Sequence, residues 1–283
     1  MTGQNSVENF DLVVVGTGFA SSFFLHSYLQ KTGSSGRILV LERGRYDSLD
    51  WQLKNRSSAS INFGDLFVNR NKDKGWYFSP GFGGGSKIWW GCTPRLIPDD
   101  FRLKSRYGIG KDWPISYDEI EKYYLAAEEI MSISGPDNSA LFPRSGPYPQ
   151  PPHLLSAPDR ILQKAYPDRY FPQPTARARI GTANRGSCCA AGVCDICPAD
   201  AKFTVLNELD YLYRDPRITL SLDSPVTNIN TTGNSAVSVE YYKDGHPQKA
   251  AGDLFVLGAG SIFNPFILLK SGFDDPGGDG GRQ

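Results

Sequence analysis

A chain of 283 residues with 40% apolar and 21% charged side chains has the composition of an ordinary globular protein, which sets aside disordered and fibrous classes. Its 30 basic and 30 acidic side chains cancel, and no long Lys/Arg run is present, so nucleic acid is not an expected partner. No stretch reaches the ~18 apolar residues of a membrane span, and Met1 to Asn9 lacks the basic-then-apolar order of a secretory signal; the expectation is a cytoplasmic protein without a transmembrane segment.

Phe10 to Val15 is a short Val-rich apolar run that meets Gly16-Thr17-Gly18, and Phe19 to Gln30 then reads as a helix with Phe23, Phe24 and Leu25 buried. Arg37 to Leu41 is a second strand ending at Glu42. This order predicts a βαβ unit in a parallel sheet covered on both faces. Gly16-x-Gly18-x-x-Ser21 stands where a Rossmann turn receives a pyrophosphate on backbone amides and a helix N-terminus, with serine in place of the third glycine. Glu42 falls where a carboxylate accepts from the two hydroxyls of an adenosine ribose. The alternative is an ordinary Gly-rich turn beside a surface glutamate, but the succession of strand, turn, helix and acid favours a ligand containing ADP.

Trp51 to Pro98 is rich in Gly, Asn and aromatic residues with little periodicity, which predicts long loops of the kind that serve a ligand. Within it lies Gly81-Phe82-Gly83-Gly84-Gly85-Ser86-Lys87-Ile88-Trp89-Trp90-Gly91-Cys92. Three successive glycines let backbone approach a flat ligand, and tryptophans beside them can wall a ring system; a flexible loop with buried indoles is the other reading. Ser116-Tyr117-Asp118-Glu119 is a capping box, and Ile120, Tyr123, Tyr124, Ala127, Ile130 and Met131 behind it predict a helix with one buried face. Gly135 to Pro158, with many prolines, reads as a connector or surface arm.

Cys188, Cys189, Cys194 and Cys197 place four thiols within ten residues, a density that points to joint ligation of a soft metal or an iron–sulfur cluster; structural zinc or reduced thiols remain open. Further on, Ile218 to Tyr242 alternates as strands, Lys243-Asp244-Gly245 is a turn, and Asp253 to Leu257 is a last apolar strand running into Gly258-Ala259-Gly260. Asp274 to Gln283 is glycine-rich and polar, without a closing strand or helix. His26, His153 and His246 read as packing or surface residues, so no catalytic residue is assigned within the chain.

Val14-Val15-Gly16-Thr17-Gly18, Gly83-Gly84-Gly85-Ser86, Asp112-Trp113-Pro114-Ile115-Ser116-Tyr117, and Gly258-Ala259-Gly260-Ser261 with Pro265 and Leu268-Leu269 together resemble the glucose-methanol-choline family of FAD oxidoreductases. The likeness extends over essentially the whole chain and is nearest the glucose, gluconate and fructose dehydrogenase branch. It implies an α/β fold: a Rossmann-like FAD-binding domain from residues 1–110 and 201–283, incomplete at its C-terminus, with part of an α+β substrate or cap region at 111–200 that carries the cysteines.

The resemblance also implies a set of FAD contacts at Gly16, Thr17, Gly18, Glu42, Arg43, Gly84, Gly85, Ser86, Trp90, Gly91, Thr93, Val226, Ala259 and Gly260. Ser86, Trp90, Gly91 and Thr93 would lie against the flavin, Val226 at the adenine, and Ala259 and Gly260 near the ribityl chain and pyrophosphate. Ile88 stands nearest to where some relatives attach the flavin to a histidine, which implies non-covalent FAD, and Cys92 would pack near the flavin. Sugar dehydrogenases of this kind use a similar Cys-Cys-x4-Cys run for a three-iron cluster, although Cys197 falls one residue short of their third position. Their catalytic histidine, with its His or Asn partner, lies in a C-terminal half, so the expected partner is that half or a companion chain. The implied activity is oxidation of a CH–OH group of a sugar or polyol by hydride transfer to FAD. The alternatives are an electron-transfer subunit built on an iron–sulfur cluster, or a non-catalytic flavin-fold binding protein.

Overall fold

The computed structural model describes residues 7–33, 35–71, 73–136 and 142–273. The glycine-rich end that begins at Asp274 lies outside the described residues. In chain order the elements are β1 (Glu8–Val15), α1 (Phe19–Lys31), β2 (Ile38–Leu41), α2 (Leu49–Asn55), α3 (Leu103–Tyr107), α4 (Tyr117–Met131), α5 (Ala157–Ala165), β3 (Ile218–Ser221), β4 (Val226–Thr232), β5 (Ser235–Lys243), β6 (His246–Leu257) and α6 (Gly260–Lys270). They fall into two compact units, residues 1–88 with 204–283, and residues 89–203. Among the described residues no helix is long and apolar enough to cross a membrane.

The first unit is built on a six-stranded sheet of order β3-β2-β1-β6-β5-β4. Strands β1, β2, β3 and β6 run parallel, with Val14 opposite Val40 and Val256. Leu12 to Val15 and Ile38 to Leu41 are buried at every position, as apolar runs covered on both faces should be. On one face Phe10, Val13, Val15, Leu39, Leu41, Val239 and Ile267 form a continuous core. On α1, Leu25 is buried as expected, whereas Phe23 and Phe24 are half-buried and the small side chains Ser21 and Ser22 take the closest packing.

The sheet is mixed rather than wholly parallel. β5 turns back through Asp244 and Gly245, both at positive φ, and Lys243 pairs with His246, the tight hairpin that Lys243-Asp244-Gly245 predicts. Strand β6 therefore starts at His246, ahead of the expected Asp253: its first half pairs antiparallel with β5 and its second half parallel with β1.

Among the described residues the second unit carries α3, α4 and α5 but only isolated strand bridges, Cys92 to Thr175, Ser134 to Gln150, Ser134 to Thr175 and Arg177 to Lys202. It begins at Trp89, ahead of residue 111, because the chain is already tied into it there. The Trp89 indole donates to Phe203 O at 2.8 Å, Ala176 N to Gly91 O at 2.7 Å, and Thr93 N to Pro174 O at 2.9 Å. The capping box forms as read, Ser116 Oγ accepting from Glu119 N at 3.3 Å while Ser116 N donates to the Glu119 carboxylate at 2.7 Å.

The face of α4 marked by its apolar residues is the sheltered one, with Ile120, Tyr124, Ala127, Ile130 and Met131 half-buried. Tyr123 is exposed, and the buried positions are Tyr117 and Glu128. Glu128 is held by Arg95 (2.7 and 2.9 Å) and by Arg144 (2.8 Å), and Arg95 also reaches Glu121 at 3.0 Å. The stretch read as a surface arm also packs: Phe142, Tyr148 and Gln150 are buried, with the Tyr148 ring close against Gly135 and the Arg144 guanidinium 3.4 Å from its centre.

Candidate functional site

Three parallel strands end together at the head of the sheet. Gly16 N donates to Leu41 O at 2.8 Å and Gly258 N to Val15 O at 2.8 Å, which binds the ends of β1, β2 and β6 to one another. Gly16 has φ +91°, and a Cβ there would lie 2.6 Å from Gly258 O, so only glycine fits. Serine in the third glycine position is accommodated from across the sheet: a Cβ on Gly258 would lie 2.0 Å from Ser21 Oγ. Helix α1 starts from Gly18 with no side-chain cap and no acidic residue in its first turn, so its N-terminal dipole is not countered by its own side chains.

Glu42, at the end of β2, is 6% exposed. Its Oε2 accepts from Thr17 N at 3.0 Å and Thr17 Oγ1 at 2.7 Å, and its Oε1 from Gly44 N at 3.1 Å. Thr17 Oγ1 in turn accepts from Gly83 N at 3.0 Å. One hydroxyl thus joins the acid of the second strand, the turn after the first and the triple-glycine bend. Ser86 acts behind that bend rather than at its surface: it is fully buried, its Oγ donating to Gly83 O at 2.6 Å and accepting from Val205 N at 3.0 Å.

These elements enclose a cleft of about 590 Å³, within the range usual for ligand pockets. Ten of the residues expected at a nucleotide border it: Gly16, Thr17 and Gly18 from the turn, Glu42 and Arg43 after β2, Gly84 and Gly85 from the bend, Val226 at the start of β4, and Ala259 and Gly260 before α6. Sequence reasoning missed an aromatic wall. Trp76, Tyr77, Phe78 and Phe263 also border the cleft, Phe78 meeting Phe263 edge to face at 5.3 Å between ring centres. The Arg43 guanidinium lies over the Phe263 ring at 3.9 Å, and burial holds its pKa below the ordinary value against the opposing charge of Glu42. The signal was present in the consecutive Trp76-Tyr77-Phe78, but without periodicity nothing said which of them face a ligand.

Trp90, Gly91 and Thr93 belong to the second unit, where Trp90 is exposed and Gly91 is buried. Cys92 is exposed and bridges to Thr175, so it is not a packed core thiol within its unit. None of the three histidines borders the cleft. His26 contacts Gln30 at 3.1 Å and His153 contacts Arg177 O at 3.0 Å, with burial lowering the pKa of both, while His246 opens β6.

The four clustered cysteines do not share one environment. Cys189 is exposed, Cys188 and Cys197 are half-buried and Cys194 is buried; among the described residues no group of three His, Cys, Asp or Glu side chains is placed to hold a metal. Cys194 Sγ and Cys197 Sγ instead accept hydrogen bonds, from Arg177 Nη1 and Ala201 N, each at 3.4 Å. The arrangement does not fit an iron–sulfur cluster or structural zinc, both of which need convergent thiolates.

No protein-family model matches the chain. It is 25% identical over 310 residues to the fructose dehydrogenase large subunit of Gluconobacter japonicus, covering 96% of this chain and 56% of that protein. With the gluconate 2-dehydrogenase flavoprotein of Pantoea cypripedii it shares 24% over 344 residues, covering 98% and 54%. Its fold is similar to that of pyridoxine 4-oxidase from Mesorbium loti (TM-score 0.59, 17% identity, 93% and 52% of the two chains). Formate oxidase is also similar in fold (TM-score 0.57, 16% identity, 94% and 48%). The chain spans about half the length of the curated relatives it matches. Along nearly all of its length the chain is thus similar in sequence to the flavoprotein and large subunits of sugar and sugar-acid dehydrogenases, and it is similar in fold to pyridoxine 4-oxidase and formate oxidase.

Proposed function

We propose that the cleft holds FAD without a covalent link and that the chain is the flavin-binding part of an enzyme that oxidises a CH–OH group of a sugar or polyol. The uncapped first turn of α1 suits the pyrophosphate. Of the roughly four lone-pair sites on a carboxylate, Glu42 uses three internally, which leaves one to accept from a ribose hydroxyl. Val226 and the Arg43–Phe263 stack offer apolar and flat surfaces for an adenine, and the bare backbone of Gly84 and Gly85 allows the close approach of a planar ring. The flavin supplies the hydride acceptor. A base for the hydroxyl proton comes from the companion half that corresponds to the rest of the relatives' length, since no histidine of this chain borders the cleft.

The observation that carries this reading is the Thr17 hydroxyl, which joins Glu42 to the glycine bend and so makes a single nucleotide cradle of segments far apart in sequence. The test is titration of the chain with FAD, followed by flavin fluorescence. Saturable one-to-one binding, weakened roughly tenfold or more in Thr17→Val, is expected. A chain that is folded by circular dichroism yet binds no FAD overturns the proposal. Dye reduction by sugars, sugar acids and polyols, measured with the companion half present, then tests the activity.

A further inference from the structure

Behind the glycine bend lies a buried ammonium group that the nucleotide cradle described above does not use. Lys87 ends a single turn of 3₁₀ helix over Gly84–Lys87 and is 2% exposed. Its Nζ donates to Pro80 O at 3.0 Å and lies 3.4 Å from where a Cβ on Gly81 would stand, so the bend is drawn back onto the segment from which it starts. Pro80 and Gly81 border the cleft, and the ammonium stands directly behind them. Lysine is almost never fully buried unless paired. The charges that act on this one are Asp47, 5% exposed and accepting from Ser60 N at 2.9 Å, and Glu42, which itself borders the cleft. A diphosphate entering beside Glu42 meets a buried carboxylate, and the N-terminus of α1 offers only ~0.5 of a positive charge against it. Arg43, the other cation at this end, is laid over the Phe263 ring at 3.9 Å. Charge supplied through a buried wall is screened far less than charge in water.

We propose that Lys87 is a positioning residue for the diphosphate of the bound nucleotide: it ties the glycine bend to Pro80 and supplies, from behind the wall, the positive charge that lets a cleft bordered by Glu42 accept an anion. The inference rests on the cleft being the FAD site and adds the residue that sets its charge selectivity. Binding and the protonation of Lys87 are therefore linked. Burial lowers the Lys87 pKa to about 8, with Asp47 and Glu42 opposing the shift. An anion in the cleft favours the protonated lysine, so affinity is full below about pH 8 and falls above it.

The test is titration of the full chain with FAD at about pH 7 and about pH 9, followed by flavin fluorescence, with circular dichroism checking the fold at each pH. For the unaltered chain the dissociation constant is expected to rise roughly tenfold between the two, because about one lysine in ten stays protonated one unit above its pKa. Lys87→Met is expected to bind roughly tenfold more weakly at the lower pH and to show no further rise. Lys87→Arg, whose guanidinium does not titrate in this range, is expected to bind within about threefold of the unaltered chain at the lower pH and to hold that affinity at the higher. An affinity of the unaltered chain that is the same at both pH values overturns the proposal without any variant. So does a Lys87→Met chain that binds as tightly as the unaltered one, or whose dissociation constant climbs with pH in parallel, the mark of a merely structural role. A folded, unaltered chain that binds no FAD at the lower pH overturns the nucleotide site and this inference with it, whereas binding without the pH dependence removes Lys87 alone.

Discussion

Thr17 shows how much one hydroxyl can carry. Replacing it by the isosteric valine leaves Gly83 N–H without its acceptor and removes one donor from the Glu42 carboxylate, a buried loss of ~1–3 kcal/mol. A lower urea midpoint and weaker FAD binding are expected together, with Thr17→Ser restoring both; full affinity in the valine variant would contradict the cradle. Ser21 and Gly258 test close packing at the same turn. Gly258→Ala drives a methyl to 2.0 Å from Ser21 Oγ, at an expected ~1–3 kcal/mol for overpacking. In Gly258→Ala with Ser21→Ala the nearest clash is gone, so the double variant should be more stable than Gly258→Ala alone. Additive losses in thermal unfolding would show that the two residues do not share the space.

At the level of elements, α4 shows what periodicity leaves out. The spacing of Ile120, Tyr123, Tyr124, Ala127, Ile130 and Met131 located the helix and, Tyr123 apart, its sheltered face, and the capping box located its start, but the fully buried positions include Glu128. A carboxylate is an outward residue unless paired, and its partners Arg95 and Arg144 lie outside the helix where no spacing rule finds them. Removing Glu128 leaves two guanidinium groups buried without their shared counter-ion, and Glu128→Ala is expected to cost ~3–5 kcal/mol by urea unfolding. The neighbouring exposed Glu129→Ala should stay within ~0.5 kcal/mol. Equal effects from the two would place the network's energy elsewhere.

For the whole molecule, the buried lysines set a dependence of stability on pH. Lys87 and Lys202, one in each unit, have pKa values lowered to about 8, chiefly by burial, with Asp47 and Glu42 opposing the shift at Lys87. Lysine in an unfolded chain titrates near ~10.4, so between about pH 8 and 10 the unfolded state binds more protons and stability rises with pH. Above ~10 the sign reverses, because burial holds the Tyr213 hydroxyl above the ordinary tyrosine range and the unfolded state then loses that proton first. Melting temperature should therefore climb through the mildly alkaline window, and Lys87→Met should flatten the climb; an unchanged profile in that variant would remove Lys87 from the account. Strand order β1-α1-β2, the glycine turn, the acid at 42 and the β5–β6 hairpin were determined by the sequence alone, because each is written in local spacing and backbone preference. Tertiary structure alone decided that Thr17 bridges to Gly83, that Phe263 completes an aromatic wall begun at Trp76, that Gly258 makes room for Ser21, and that four neighbouring cysteines do not converge. Each of those outcomes depends on where distant segments bring their side chains in space, which no short-range pattern encodes.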